Sequence, residues 1–116
     1  MPVLCFLDDL IFISKIKTIA QALGVEIRFG QNNETAPDLV RETNPSLVII
    51  DLNSSKLKPI ELVQSIKAIA AIPVVGFVSH VDSEIFDKAK QAGCIAWPRS
   101  KFVSELSALL QGNIKP

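Results

Sequence analysis

At 116 residues the chain is one domain's worth, long enough to bury a core without disulfide or metal staples. Hydrophobic side chains make up 48% and charged ones 21%, which excludes a disordered polar segment. Twelve basic residues balance twelve acidic ones, so no nucleic-acid partner is expected, and apolar runs of about five residues fall far short of the ~20 that cross a bilayer.

The elements alternate from the start. Val3-Leu4-Cys5-Phe6-Leu7 reads as a strand, closed by Asp8 and Asp9. No basic segment precedes it, so it is not a signal peptide. Phe12, Ile16, Ile19, Ala20 and Leu23 then recur at helical spacing, with Lys15, Lys17, Thr18 and Gln21 on a solvated face and Gly24 as the stop. Val25 to Phe29 alternates apolar and charged residues, as expected of a strand at a sheet edge. A turn at 30–33 leads to a helix starting near Glu34, with Pro37 in its first turn and Asn44-Pro45 after its end. Leu47 to Ile50 is uniformly apolar, fits a central strand covered on both faces, and is closed by Asp51.

A polar loop, Asn53 to Lys56, precedes a helix carrying Leu62, Val63, Ile66, Ile69 and Ala70. Pro73 precedes a second uniformly apolar strand, Val74 to Val78, in which Gly76 implies close packing of a helix rather than ligand contact. Ile85, Ala89 and Ala92 mark a fourth helix stopped by Gly93. Cys94 to Trp97 is a short last strand, and Val103, Leu106 and Leu110 mark the closing helix. Cys5 and Cys94 both fall in strands and read as buried, reduced thiols, so the expected compartment is the cytoplasm.

Five strand–helix pairs imply a single α/β domain over 1–116, a doubly wound (βα)5 parallel sheet with helices on both faces. Placing the most apolar strands in the middle and the charged second strand at an edge gives the flavodoxin-like order 2-1-3-4-5. Strand order then reverses between the first and third strands, where ligands of such sheets bind. Asp8, Asp9 and Asp51 meet there. Three carboxylates repel one another unless a proton or cation intervenes, and a hard oxygen-seeking ion such as Mg²⁺ suits them.

With these residues in place the chain resembles, over nearly its whole length, the receiver domain of two-component response regulators, as an atypical stand-alone member. The match rests on Asp8-Asp9, Asp51, Ile72-Pro73, Ala92-Gly93 and Arg99-Ser100. The resemblance implies that Asp51 accepts a phosphoryl group from a histidine kinase or phosphotransfer protein. It implies that Asp8, Asp9, Asp51 and the main-chain carbonyl of Asn53 hold Mg²⁺. No output domain follows residue 112, so output is expected through a protein partner in trans, on the fourth-helix, fifth-strand and fifth-helix side.

The response half departs from the family. The position of the usual switch Thr or Ser falls on Val78, with Ser79 next to it; the usual Lys-Pro appears as Arg99-Ser100, with Lys101 a second candidate cation. The aromatic switch position falls near Ala96, beside Trp97, and the loop after Asp51 carries Lys56 and Lys58 in place of glycine. A phosphorylation-independent pseudo-receiver, acting as a protein-interaction module, is therefore the competing reading.

Plainer roles exist for the same residues. Each aspartate suits a helix cap, His80 a solvated loop, and Trp97 a hydrophobic plug; Trp97 as a docking anchor and His80 over the acidic site are the functional alternatives. Enzyme readings fit poorly. Asp51-Leu52-Asn53 is not the Asp-x-Asp of a haloacid-dehalogenase phosphatase, Asp8-Asp9 would repel a flavin phosphate, and no dinucleotide glycine fingerprint is present.

Overall fold

The computed structural model describes residues 1–78 and 82–114. Five strands alternate with five helices: β1 Val3–Phe6, α1 Leu10–Leu23, β2 Ile27–Gly30, α2 Ala36–Thr43, β3 Leu47–Asp51, α3 Pro59–Ile69, β4 Val74–Val78, α4 Ser83–Gln91, β5 Ile95–Pro98 and α5 Arg99–Leu110. The strands form one parallel sheet in the order β2-β1-β3-β4-β5. The chain therefore has the expected flavodoxin-like fold, with its reversal between β1 and β3.

β1, β3 and β4 are buried at every residue, and the two faces of the sheet carry separate cores. Under α2, α3 and α4 the core is largely aliphatic, built on Leu4, Val48, Ile50, Leu62, Val63 and Ile66. Under α1 and α5 it is aromatic. Phe77 stacks on Phe102 at 4.5 Å between ring centroids, Phe12 meets Phe77 edge-on at 5.1 Å, and Trp97 completes the layer. Such edge-on and offset pairs suit the ring quadrupole. Cys5 lies in the aromatic core and Cys94 in the aliphatic one, both as free thiols. Burial pushes each thiol up to about 12, so neither is reactive.

Two strands begin later than the hydrophobic pattern predicts, for one reason. Gly24 (φ 71°) closes α1, its N–H donating to Gln21 O while Val25 N–H donates to Ala20 O. Gly93 (φ 100°) does the same after α4, with Gly93 N–H to Lys90 O and Cys94 N–H to Ala89 O. This double closure draws the first apolar residue of each run into the helix end, so β2 starts at Ile27 and β5 at Ile95. α2 starts at Ala36 rather than near Glu34, because the Asn32 side chain accepts from both Thr35 N and Thr35 Oγ1 and holds a turn before it. β1 stops at Phe6, though Leu7 stays buried, and Ala70 caps α3 instead of continuing it.

Gly76 is required by a close approach, but not of a helix. A Cβ there would lie 2.7 Å from Leu52 Cγ and 2.9 Å from Cys94 Sγ. The loop residue after Asp51 fills that space. Trp97 is 2% exposed, so it is a core plug and not a docking anchor.

Candidate functional site

β3 places Asp51 at the carboxyl end of the central strand, and the turn after it fixes the side chain. Leu52 N–H donates to Phe77 O at 3.0 Å, carrying the ladder one residue past Asp51. Asn53 N–H donates to Asp51 Oδ1 at 2.9 Å and Ser54 N–H to Asp51 O at 3.3 Å, closing a tight turn. Among the described residues Asp51 is the buried carboxylate, 7% exposed.

β1 delivers the other two acids. Asp8 is exposed, and Asp9 caps α1 by accepting from Ile11 N at 3.0 Å and Phe12 N at 3.1 Å. Capping and site duty are therefore compatible, because one oxygen of Asp9 serves the helix and the other faces Arg99. Arg99 Nη2 lies 4.0 Å from Asp9 Oδ2, and the guanidinium sits 4.3 Å from the centroid of the Phe12 ring. At that separation the pair is a charge contact rather than a good hydrogen bond, and the ring face supplies a second attraction.

These neighbours set the protonation of Asp51. Its carboxyl is raised above the usual range, first by burial, and the charges of Asp8 and Asp9 push the same way. The Asn53 N–H and Arg99 oppose the rise. Burial and like charge both disfavour the anion, whereas a donor and a cation favour it.

The donors are all oxygens in a setting short of positive charge, so in kind they fit a hard divalent ion. Among the described residues, however, no three acidic, histidine or cysteine side chains are grouped closely enough to hold one.

The remaining candidates lie apart. Lys101 Nζ sits 5.0 Å over the Trp97 ring, on a cleft of about 430 Å³ shared with Phe86, Lys90 and Pro98. Val78, at the predicted switch position, is 7% exposed and borders a notch of about 270 Å³ with Asp82, Ser83, Phe86 and Pro98. Ala96 is buried in the aliphatic core. Ser79 and His80 lie outside the described residues.

Two features escaped the sequence. A cleft of about 470 Å³ runs beside Asp8, between Leu10 and Ile13 of α1 and the loops carrying Gln31, Asn32, Ser54 and Lys56. The Asn33 side chain braces those loops, its Nδ2 donating to Lys58 O at 2.9 Å and its Oδ1 accepting from Lys58 N at 3.1 Å. The Arg99–Phe12 stack is the other. It joins residues 87 positions apart, which no local periodicity reveals.

No family model and no curated protein matches the sequence. Solved structures do match its fold. The chemotaxis response regulator CheY4 of Vibrio cholerae aligns at a TM-score of 0.80 and 17% identity, over 97% of this chain and 98% of that one. The signal receiver domain of the DNA binding response regulator merR from Colwellia psychrerythraea gives 0.79 and 18%, over 97% and 96%. The receiver domain of NtrX from Brucella abortus gives 0.76 and 19%, over 94% and 98%. The fold is that of signal receiver domains.

Proposed function

We propose that the chain is a receiver-type signalling module of two-component systems, with Asp51 as phosphoacceptor. The observation that carries this reading is the buried Asp51 carboxylate at the end of the central strand, pinned by Asn53 N–H and flanked by Asp8, Asp9 and Arg99. A histidine kinase or a phosphotransfer protein is the donor. One carboxylate oxygen of Asp51 attacks the phosphorus, the bond to the donor's leaving atom breaks, and the pair of electrons leaves with that atom. Anion must meet anion in this step, so the protein's part is positioning and charge neutralisation.

Asp8, Asp9, Asp51 and the Asn53 carbonyl are the residues that would hold Mg²⁺, although as they stand no three acidic side chains among the described residues are grouped closely enough to do so. The ion would supply the positive charge that the developing oxygens need. Asn53 N–H keeps one oxygen of Asp51 in place, and Arg99, whose charge already acts on Asp51, is the cation proposed for the phosphate oxygens. The acyl phosphate would add charge and three strong acceptors beside the strand ends. Output would pass to a protein partner in trans, through the α4, β5 and α5 side. None of the described helices is long and apolar enough to cross a membrane.

A second reading, the pseudo-receiver that binds a partner without phosphate, is favoured by Val78. A buried aliphatic side chain has no hydroxyl with which to follow a phosphoryl group.

Incubation with a small acyl phosphodonor and Mg²⁺, read by intact mass, separates the two. Gain of one phosphoryl group, abolished in Asp51→Asn, supports the phosphoacceptor. A folded wild-type protein that gains nothing supports the pseudo-receiver.

A further inference from the structure

We propose that the cleft beside Asp8 binds a small apolar zwitterion of dipeptide size, with its ammonium toward Asp8 and its carboxylate toward Lys56. This goes beyond the receiver reading and does not depend on it, since no phosphoryl group and no metal ion takes part. Four observations lead to it.

First, the cleft has the size and the apolar walls of a ligand site. It measures about 470 Å³, inside the range of about 300–1,000 Å³ that takes small molecules. Leu10, Ile13, Phe29 and Leu57 line it. Leu10 is 80% exposed, so a ligand that covers it removes apolar surface from water.

Second, the cleft holds one charge of each sign. Asp8 follows β1, Lys56 lies in the loop after β3, and both are exposed. Neither belongs to an ion pair among the described residues. Asp8 repels a ligand that is only an anion, and Lys56 repels one that is only a cation. A zwitterion answers both.

Third, Ser54 borders the cleft with an unsatisfied hydroxyl. The residue is 8% exposed, and its Oγ has no hydrogen-bond partner among the described residues. A buried hydroxyl left unpaired carries a desolvation penalty. A ligand carboxylate drawn to Lys56, two residues along the same loop, gives that hydroxyl an acceptor after rotation about its Cα–Cβ bond.

Fourth, the remaining polar groups suit a peptide bond, and the walls are fixed. Gln31 and Asn32 bring side-chain amides to the cleft. Thr35 occupies Asn32 Oδ1, which leaves Nδ2 to donate to a ligand carbonyl, while Gln31 can both donate and accept. The Asn33 side chain ties the two loops together through Lys58 N and O, so the cleft exists before a ligand arrives.

Isothermal titration calorimetry in metal-free buffer, with leucyl-leucine as the probe, tests this. Wild type should bind leucyl-leucine about tenfold more tightly than N-acetyl-leucyl-leucine, which lacks the ammonium, or leucyl-leucinamide, which lacks the carboxylate. Glycyl-glycine, without the apolar body, should give no measurable binding. Asp8→Asn should bind leucyl-leucine about tenfold more weakly and no longer distinguish it from the acetylated form. Lys56→Gln should behave in the same way toward the amide. Ser54→Ala should weaken binding about threefold. Lys15→Gln, exposed on α1 and outside the cleft, should match wild type. Circular dichroism establishes that each variant is folded, and the ligand series on wild type decides the matter where one is not.

Absence of binding by wild type overturns the proposal, and so does binding indifferent to acetylation or amidation of the ligand. An equal loss in Lys15→Gln and Lys56→Gln would reduce the effect to net charge and overturns it too. The receiver reading fails by a different result, a folded protein whose Asp51 gains no phosphoryl group. Either can fall while the other stands.

Discussion

Along the rim formed by the strand ends, the β1–β3 half is polar and crowded with charge, while the β4–β5 half is apolar. On the first side Asp8, Asp9 and Asp51 gather with Arg99, and backbone amides hold two of the three carboxylates in place. On the second, Val78 and Pro98 border a small notch whose described lining is mostly carbon, and Trp97 fills the layer below. Receiving a charged group and responding to it place different demands on side chains. The first needs oxygens and fixed charge, which are present. The second needs a group whose contacts differ between the two states. Val78 itself carries no hydroxyl, and Arg99 lies against both Asp9 and the ring of Phe12 in the aromatic core. The difference teaches that, if the chain is the receiver proposed above, the two tasks fall to separate halves of a single rim.

The comparison breaks most forcefully at Trp97. It is 2% exposed and packs with Phe77, Phe102 and Leu106, so Trp97→Ala should cost about 3–5 kcal/mol, the usual range for emptying a large aromatic site. Urea unfolding reads that loss. Because Trp97 Nε1 has no partner among the described residues, Trp97→Phe should be far milder, recovering part of the volume while removing a buried unsatisfied donor. A small loss in Trp97→Ala would mean the β5 half is not held by this ring.

Gly76 tests whether the halves are mechanically joined. It lies in β4, yet the atoms that a Cβ would strike belong to Leu52, next to Asp51, and to Cys94, next to β5. Gly76→Ala should cost about 1–3 kcal/mol by overpacking. It should also slow labelling of Asp51, because relief requires Leu52 to move. Leu52→Val in the same chain should recover part of both losses. Lost stability with unchanged labelling would mean that the turn after Asp51 yields without disturbing the carboxylate.

Much of this architecture was legible in the sequence because it depends on local periodicity and on one global rule. Uniform apolarity placed β3 and β4 in the centre, alternation placed β2 at the edge, and the strand order then brought Asp8, Asp9 and Asp51 to the reversal point. Errors arose where one residue serves two elements. Val25 and Cys94 are apolar enough for a strand but are bound into helix closures, and only the backbone hydrogen bonds reveal it. Gly76 signalled a close approach correctly, but what approaches, Leu52, is set by the turn that Asp51 itself organises. For the site, residue types and positions were readable and pairings were not. Arg99 and Lys101 are near-equivalent cations two positions apart in sequence; the fold sends one to Asp9 and the other to Trp97.

The smallest effect is also the sharpest test of the polar half, namely the pH dependence of Asp51→Asn. Burial and the two neighbouring acids raise the Asp51 carboxyl in the folded state, so the folded protein holds that proton more tightly than the unfolded chain does. Asp51 therefore costs nothing at pH values below its ordinary value of 3.8. Stability is lost as pH climbs through the raised value, and above it the penalty is constant. Asparagine carries no charge and its amide oxygen can still accept from Asn53 N–H, the contact that shapes the turn. Asp51→Asn should thus melt at a higher temperature than wild type near neutrality, and the gain should shrink toward zero in acid. A gain that does not vary with pH would assign the effect to packing, and a loss at neutral pH would mean the carboxylate is held by partners stronger than Asn53 and Arg99. A buried carboxylate that costs stability at working pH has no structural reason to be there that an amide would not serve as well. On the proposed reading, its presence would be accounted for by what the anion can do, which is to attack phosphorus or attract a cation.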